Sequence, residues 1–439
     1  MPEKSEPVKL QTGPHLFVDD YLIADESNLR RTINRPTRLP MPLVTGKEDG
    51  NYQPYFTVLR DANTRRFRMW YGVPIGPDAE SDSHLAYMES ENGIDWIRPH
   101  RVLDDPAPIK YGASVIDDGP AYPDPSRRFK FAWWCDGGLQ VAASPDGLMW
   151  KPLAPGVVLP HNHDINCIFR DTPRNRYIAL VSVGMEGEGW TGKRRIPHQS
   201  ASQDLIRWEN PWPVLTPDEE DEGETQFYCM SGLTTRGDLL IGMARVLRDD
   251  LSAEPGGQTA GIGYTALAWN RDGEHWERDR EPFLNRGETP GDWDRAMAWI
   301  DCQLPVGDEI YLYYAGYARG HKIERKTERQ IGLARMPRDR FVSRDAGQVE
   351  GRLCTRPIIL ESTQLTLNAD ASGRILVRFL DAHGRPFPGF DWEDCAEITG
   401  DSLLHPVKWK SDPASLMGKP VTMEFAMRDA RLYGFDLRE

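Results

Sequence analysis

Short apolar or alternating segments recur along the first 345 residues, and each set of segments ends at a polar turn followed by an aromatic residue. The turn and its aromatic residue stand at positions 90–96, 144–150, 202–208 and 270–276, with a degraded copy at 336–341. The closing aromatic residues lie 54 to 68 residues apart. This spacing is longer than that of a helical repeat and suits one four-stranded sheet per repeat. The pattern therefore predicts five sheets.

The turn of each repeat indicates that the flanking segments are strands. Asp-Gly and Asn-Gly pairs tolerate positive φ and close tight hairpins between strands. Such pairs occur at positions 92–93, 146–147 and 272–273. We expect the Trp beyond each turn, such as Trp150, to pack between neighbouring sheets rather than to bind a ligand.

The predicted fold is all-β, because residues 40–345 show no long helical periodicity. Five up-and-down sheets arranged radially make a five-bladed β-propeller, an architecture that leaves only short protected edges. An apolar strand at 15–23 precedes the first repeat. In a ring of sheets an N-terminal strand often completes the last sheet, so we expect residues 15–23 to close the ring.

The pattern changes beyond about residue 350, where the repeat stops. Apolar residues alternate with polar ones in segments near 365–367, 375–379 and 421–427, and Gly or Pro residues mark the turns between them. Period-two alternation of this kind predicts a small antiparallel β-sandwich. The chain is therefore divided into a propeller over residues 1–349 and a β-sandwich over residues 350–439.

Charge and composition exclude several classes of partner. The 53 Lys and Arg residues against 67 Asp and Glu residues give a net charge of −14. Nucleic-acid binding needs a basic face, so no nucleic-acid partner is expected. No segment approaches the roughly 18 apolar residues of a membrane span, so no membrane partner is expected. The 14 Trp and 15 Tyr residues suit an all-β protein with stacking surfaces, whose common partners are sugar rings.

The cysteine pattern and the N-terminus add little. The six Cys residues include no Cys-x-x-Cys pair, so neither a zinc site nor a disulfide framework is indicated. The first residues lack an apolar signal core. We therefore expect either a cytoplasmic protein or the mature form of a secreted or periplasmic one, and the sequence leaves the localisation and the oligomeric state open.

The innermost strands of a propeller converge on a central funnel, so polar residues just before those strands should share one pocket. Three carboxylates occupy such positions on successive repeats, namely Asp164, Glu224 and Asp294. Glu224 and Asp294 each stand 14 residues before the Asp of the next hairpin, Asp238 and Asp308, so they hold matching places. Such a funnel suits glycosidic cleavage, in which one carboxylic acid protonates the leaving oxygen and a second carboxylate activates water or attacks the sugar.

The same positions supply polar side chains that are candidates for binding a sugar. They are Asp49, Asn51, His163, Asn166, Gln226, Arg245 and Arg295. Tyr111 and His161 hold similar places, while Arg194, Arg195 and Arg319 are further candidates for holding a carboxylate or sulfate group. Each residue also has a structural alternative as a turn cap, an ion-pair partner or a solvated surface group.

Five repeats of this form followed by a β-sandwich resemble the five-bladed propeller glycoside hydrolases, a group with fructosidase-like and arabinanase-like members. The Ser-Pro-Asp-Gly-Leu-Met-Trp turn at 144–150 is also similar to the Asp-box of sialidases, although it is one residue shorter. The resemblance implies a central funnel with an Asp nucleophile or base, a Glu general acid and a further Asp that binds sugar hydroxyls. The fructosidase signature Asn-Asp-Pro-Asn-Gly is absent from this chain.

These observations predict an exo-acting glycoside hydrolase, with Glu224 as general acid and Asp164 or Asp294 as nucleophile or base. Two alternatives stay open. One is a glycoside phosphorylase, in which one carboxylate suffices and basic residues such as His163, Arg245 or Arg295 hold phosphate. The other is a non-catalytic propeller that binds carbohydrate. A carbohydrate substrate is expected, and no cofactor or metal is indicated by residue spacing, although related enzymes sometimes hold a structural calcium ion.

Overall fold

The structure is a computed structural model that describes residues 6–77, 82–164, 166–258, 260–321 and 323–438. The two α-helices in these ranges, Gly46–Asp49 and Arg325–Glu328, are single turns, and no helix there is long and apolar enough to cross a membrane. Three short 3₁₀ helices lie in connections, namely Pro125–Arg127, Trp392–Asp394 and Pro413–Leu416. Strands make up the other regular elements, which confirms the all-β prediction.

Five sheets of antiparallel strand pairs carry the repeats and are numbered in chain order. The first contains Phe56–Arg60, Phe67–Pro74, Ser83–Ser90 and Arg101–Val102. The second contains Tyr111–Asp117, Phe129–Cys135 and Gly138–Ser144, with Lys151–Pro152 and Leu159–Pro160 on its outer edge. The third contains Asn166–Asp171, Arg176–Gly187, Trp190–Ser202 and Trp212–Pro213. The fourth contains Thr225–Arg236, Leu239–Arg248, Ile262–Asn270 and Glu277–Leu284. The fifth contains Met297–Val306, Glu309–Tyr317, Gln330–Pro337 and Thr37–Arg38.

The five sheets form a closed ring. The first strand of each sheet contacts the first strands of the sheets on either side, and the first strand of the fifth sheet contacts that of the first. Sheets arranged in this way leave unpaired only the outer edges of their short outer strands. The five-bladed β-propeller predicted from the repeat spacing is confirmed.

The strand that completes the fifth sheet differs from the predicted one. Thr37–Arg38 pairs with Gln330–Pro337 and forms the outer edge of that sheet. Residues 15–23 pair with no described propeller strand, because Gly13–Leu16 pairs with Pro420–Arg438 and Ile23–Ser27 pairs with Gly351–Thr355, so the prediction that this segment closes the ring is wrong. Its side chains Phe17 and Leu22 are buried in the core of the β-sandwich, whereas Leu16 and Val18 pack against the fourth and fifth propeller sheets.

The β-sandwich draws its strands from both ends of the chain. From the N-terminal end come Val8–Leu10, Gly13–Leu16, Ile23–Ser27 and Leu29–Ile33. From the C-terminal end come Val342–Ala346, Gly351–Thr355, Ile358–Leu360, Gln364–Leu380, Ile398–Pro406 and Pro420–Arg438. The last of these is the central strand, since it pairs with most of the others. The division of the chain at residue 350 stays a prediction, although several strands before that residue belong to this unit.

The repeated turn owes its shape to a small set of hydrogen bonds. In the second repeat the Ser144 hydroxyl accepts from the Gly147 N–H at 2.9 Å. The Asp146 Oδ1 atom accepts from the N–H groups of Leu148 and Met149 at 2.9 and 3.0 Å. Gly147 has a φ of 76°, a left-handed value that glycine adopts without strain. These bonds explain why Ser, Asp and Gly recur at fixed offsets.

The Trp that follows the turn packs between sheets, as predicted. Trp150 is 7% exposed, and its ring lies 5.4 Å from that of Phe131. Both rings belong to an apolar cluster that also contains Trp70 of the first sheet. The residue that follows the turn therefore contributes to the packing between the first and second sheets.

Candidate functional site

A cavity of about 120 Å³ lies at the axis of the propeller, where the first strands of the sheets begin. The described residues that line it are Tyr55, Tyr111, His163, Asp164, Arg195, Tyr228, His321, Arg325 and Arg329. They come from all five sheets. The cavity is therefore the central funnel that the sequence predicts.

Strand register brings the first group of lining residues together. Tyr55 directly precedes the first strand of its sheet, and Tyr111 begins the first strand of the next. His163 and Asp164 stand just before the first strand of the third sheet, and Tyr228 lies near the start of that of the fourth. Because these strands converge at the axis, residues at their starts share one space.

The second group of lining residues arrives by a different route. In each sheet the connection from the second strand to the third returns to the same edge as the start of the first strand. Arg195 lies on the third strand of its sheet, Trp190–Ser202, close to this edge. His321, Arg325 and Arg329 lie in the corresponding connection of the fifth sheet, between its second and third strands. This group supplies the three guanidinium groups of the described cavity lining.

Asp164 is the one carboxylate among the described lining residues. Its Oδ1 atom lies 2.7 Å from His163 Nδ1, although the two groups are not aligned as a hydrogen bond, and its Oδ2 atom accepts from the Tyr55 hydroxyl at 3.3 Å. Burial would raise the pKa of this carboxyl, but contact with His163 and the charge of Arg195 outweigh burial and lower the pKa. Asp164 is therefore ionised at neutral pH.

Two tyrosines form a neutral wall beside Asp164. The hydroxyl oxygens of Tyr55 and Tyr228 lie 3.4 Å apart. The Tyr228 ring stacks on Trp299 at 4.8 Å, and His321 meets the same ring edge-on at 4.8 Å. Burial, reinforced by the charge of Asp164, raises the pKa of both hydroxyls well above the usual range of tyrosine. Both therefore stay protonated and act as hydrogen-bond donors.

Three guanidinium groups make the cavity strongly cationic. Arg329 is 6% exposed and is held by the carbonyl oxygens of Tyr52 and His321, to which it donates at 3.1 and 3.3 Å. Arg325 and Arg195 line the same space. Guanidinium groups match the geometry of phosphate and carboxylate oxygens. The arrangement is suited to holding an anion next to an ionised carboxylate.

A chain of polar contacts connects the cavity to its rim. Arg195 donates from Nε to His163 Nε2 at 3.0 Å and from Nη1 to Gln226 Oε1 at 2.9 Å. The Gln226 amide nitrogen donates to Asp249 Oδ2 at 2.9 Å, and Arg195 Nη1 lies 3.4 Å from the same oxygen. His163 then contacts Asp164. The position of Arg195 is thus fixed from both sides.

The structure does not bring the three predicted catalytic carboxylates together. Asp164 lines the cavity, whereas the Glu224 side chain is 55% exposed and lies 3.5 Å from Arg194. Asp294 is buried outside the cavity, where it accepts from Arg38 at 2.8 Å and from the Tyr314 hydroxyl at 2.9 Å. Equal spacing in sequence placed Glu224 and Asp294 at similar heights, but their partners turn the side chains in other directions.

Three of the predicted sugar-binding residues belong to the cavity or its support. His163 lines the cavity, and Gln226 holds Arg195. Asn51 is 1% exposed, and its amide donates to the Arg329 carbonyl oxygen at 2.8 Å. Asn51 and Gln226 therefore position arginines rather than line the cavity themselves.

The other four predicted binding residues do not line the cavity. Asp49 pairs with Arg98 at 2.7 Å, and Arg295 pairs with Glu254 at 2.9 Å. Asn166 is 5% exposed, lies against Gly112, and its side-chain amide has no hydrogen-bond partner among the described residues.

Arg245 is the last of these four. It is 1% exposed and forms an ion pair with Asp301. Its Nη1 atom also donates to the Pro54 carbonyl oxygen at 3.3 Å. The guanidinium is therefore already used inside the protein.

Five lining residues were not among the sequence candidates: Tyr55, Tyr228, His321, Arg325 and Arg329. The sequence rule considers polar residues just before each first strand. The connection between the second and third strands reaches the same edge, and the basic segment at 319–329 lies in that connection. A rule that included this connection would identify the arginines.

No group of three or more His, Cys, Asp or Glu side chains in the described ranges is arranged to hold a metal ion. A structural calcium ion thus gains no support from a ligand set in this part of the chain.

Comparison with known proteins places the fold. No family model matches the chain, and no curated protein matches it. A solved structure described as a glycoside hydrolase is similar over 69% of this chain and 92% of its own, with a TM-score of 0.51 and 14% identity. A second solved structure, described as a BT0996 RGII complex, is similar over 70% of this chain and 93% of its own, with a TM-score of 0.50 and 13% identity. The chain has the fold of propeller-type glycoside hydrolases.

Proposed function

We propose that the protein is an enzyme that cleaves glycosidic bonds in the central cavity, with Asp164 as the carboxylate that acts on the bond. One observation carries the proposal: among the described lining residues, a single partly buried carboxylate stands beside three guanidinium groups at the propeller axis. The fold shared with a glycoside hydrolase supports the same reaction class, although a fold alone does not fix an activity.

The number of carboxylates favours phosphorolysis over ordinary hydrolysis. Most glycoside hydrolases need two carboxyl groups about 5 to 9.5 Å apart, and the described lining of this cavity has one. In phosphorolysis an oxygen of inorganic phosphate attacks the anomeric carbon, the glycosidic C–O bond breaks, and the leaving oxygen takes a proton from the single carboxylic acid. The three arginines suit the phosphate dianion.

Asp164 must be protonated to act as the acid, and bound phosphate would favour its protonation. A second negative charge bound beside a carboxylate disfavours the ionised form and raises the pKa of the carboxyl group. Phosphate bound between the arginines would therefore promote proton uptake by Asp164. The residue then becomes an acid only when the attacking group is in place.

Hydrolysis is the second candidate, and the lowered pKa of Asp164 favours it. An ionised carboxylate is suited to act as nucleophile or base. In that case the arginines hold a carboxylate or sulfate group of the sugar itself. The size of the cavity bears on phosphorolysis and hydrolysis alike. Its volume of about 120 Å³ equals that of about four water molecules in the liquid. A cavity of this size accommodates a chain end better than the middle of a chain, so we propose exo-action.

The test is incubation with a panel of neutral and acidic glycosides, with and without inorganic phosphate, using the Asp164→Asn variant as the inactive control. We expect phosphate-dependent cleavage that yields a sugar phosphate, detected by ³¹P NMR. Cleavage to free sugar without phosphate would select hydrolysis. Absence of cleavage across the panel under both conditions would contradict the proposal.

A further inference from the structure

The chain of polar contacts that begins at Asp164 in the cavity ends at Asp249 on the rim. The Asp249 side chain is 38% exposed, and its Oδ2 atom receives the Gln226 amide at 2.9 Å and lies 3.4 Å from Arg195 Nη1. Asp249 lies outside the set of residues that line the cavity. Any contact by which Asp249 affects the cavity therefore passes through the residues that it holds.

Only one assignment of donors and acceptors fits the polar contacts between Asp249 and Asp164. A guanidinium group only donates, so the His163 Nε2 atom that receives Arg195 Nε must present a lone pair. Neutral His163 then carries its proton on Nδ1, which is the atom 2.7 Å from Asp164. Arg195 thus determines which ring nitrogen of His163 faces the carboxylate with a proton.

Gln226 has a fixed orientation for the same reason. Its Oε1 atom accepts from the backbone N–H of Arg195 at 3.2 Å and from Nη1 at 2.9 Å. Its amide nitrogen must therefore point the other way, where it meets Asp249. Without an acceptor at position 249, the Gln226 amide nitrogen and the Arg195 guanidinium each lose one of the contacts that orient their side chains.

We propose that Asp249 is a positioning residue which, through Gln226 and Arg195, fixes the tautomer and the orientation of His163 against Asp164. The importance of this arrangement for catalysis rests on the proposed function, in which Asp164 acts on the glycosidic bond. The arrangement itself does not depend on which glycoside is cleaved.

Several other titratable and charged groups besides those held by Asp249 lie around Asp164. The titratable and charged groups around Asp164 are Tyr55 from the first sheet, Tyr111 from the second, His161, His163 and Arg195 from the third, Tyr228 from the fourth, and His321, Arg325 and Arg329 from the fifth. Arg195 is the member of this set that contacts Asp249. A change at Asp249 should therefore reach Asp164 through Arg195.

The neighbouring residue provides a matched control. Asp250 forms a bidentate pair with Arg248, at 2.8 Å for both contacts, and takes no part in the chain to His163. Asp249→Ala and Asp250→Ala each remove one carboxylate from adjacent positions of the same loop. Only the first removes the acceptor for Gln226, whereas an Asn side chain at position 249 would still offer an amide oxygen.

The first test is ¹⁵N NMR of histidine-labelled full-length protein, with the His163 signals assigned by their loss in His163→Gln. We expect wild-type and Asp250→Ala protein to show His163 protonated on Nδ1 and unprotonated on Nε2. Asp249→Ala should show a mixture of the two tautomers. A single unchanged tautomer in Asp249→Ala would overturn the proposal, as would a proton on Nε2 in the wild type.

The second test separates positioning from simple charge. Removal of a negative charge alone would lower the pKa of Asp164 further. Displacement of Arg195 would instead raise it, by about one unit or more for the loss of a close opposite charge. We expect the rise in Asp249→Ala, measured by ¹³C NMR of labelled aspartate carboxyls, and no rise in Asp250→Ala. A fall in both variants would overturn the proposal. Neither test needs a substrate, so failure of the proposed function would leave these results interpretable.

Discussion

At the residue scale, two partly buried carboxylates near the propeller axis differ in the direction of their pKa shift. For Asp164 the contact with His163 and the charge of Arg195 outweigh burial and lower the pKa. For Asp301 burial outweighs the charge of Arg245 and raises the pKa. Asp164 lines the cavity, whereas Asp301 accepts from the Phe56 backbone N–H at 2.8 Å and serves the structure.

The ion pair between Arg245 and Asp301 predicts a stability effect for Arg245→Met. Removal of one partner from a buried pair leaves the other charge uncompensated, which costs about 3–5 kcal/mol. We expect a loss of this size in the free energy of unfolding, measured by urea denaturation at neutral pH. The deficit should shrink as the pH falls, because protonated Asp301 needs no counter-charge.

The double variant Arg245→Met with Asp301→Asn is the control for this prediction. It removes both charges together, so we expect it to recover part of the lost stability. A single variant as stable as the wild type, with weaker substrate binding, would instead support the role in binding that the sequence suggested for Arg245.

Sequence reasoning located the site residues only in part. His163 and Asp164 were found because the start of a first strand reliably points to the axis of a propeller. Glu224 and Asp294 follow the same counting rule but lie elsewhere, since Arg194 and the pair of Arg38 and Tyr314 bind them. Arg194 belongs to another repeat and Arg38 to the N-terminal part of the chain, so spacing within one repeat cannot reveal them.

At the element scale, the repeated turn was predictable because its chemistry is local. The bonds of Ser144 and Asp146 lie within a few consecutive positions of the chain, so the motif carries its own geometry. The closing strand Thr37–Arg38 was not predictable in the same way. It is very short and has no apolar pattern, whereas the apolar segment 15–23 is bound by a sandwich core that only the folded chain assembles.

The packing of the repeat aromatic residue predicts a structural effect for Trp150→Ala. Loss of a buried Trp from the contact between two sheets costs about 3–5 kcal/mol, because a cavity is left behind. We expect a decrease of this size in unfolding free energy, measured by chemical denaturation. Activity per folded molecule should be retained, since the residue lies outside the cavity.

Met149→Ala is the matched control for the Trp150 variant. Met149 precedes Trp150 in the same turn and is 65% exposed, so its removal should change stability by no more than about 0.5 kcal/mol. A stable but inactive Trp150→Ala protein would contradict the structural role of the motif.

At the scale of the whole molecule, both ends of the chain meet in the β-sandwich while the middle forms the ring. The N-terminal segment pairs with the last strand, as in Gly13–Leu16 with Pro420–Arg438, and then crosses to the fifth propeller sheet at Thr37–Arg38. The ring and the sandwich are therefore fastened by one continuous segment. Repeat spacing predicted the ring and period-two alternation predicted the sandwich, but the exchange of strands depends on pairing between the two ends of the chain.

The ring matters for function because it collects side chains that are far apart in sequence. The residues that line the small cavity are spread along the chain from Tyr55 to Arg329. The excess of positive charge in the cavity therefore arises from the whole ring and not from any single repeat. The proposed function therefore requires that the reaction takes place at the propeller axis.

The most direct test of that claim compares the cleavage rates of Asp164→Asn and Glu224→Gln on a glycoside that the wild-type protein cleaves. We predict that Asp164→Asn lowers kcat/KM by about 10²- to 10⁴-fold, the usual contribution of a general acid or base, while its circular dichroism spectrum shows that the variant remains folded. Glu224→Gln, altered at an exposed carboxylate, should cleave at the wild-type rate. Full activity in Asp164→Asn, or a loss confined to Glu224→Gln, would contradict the account.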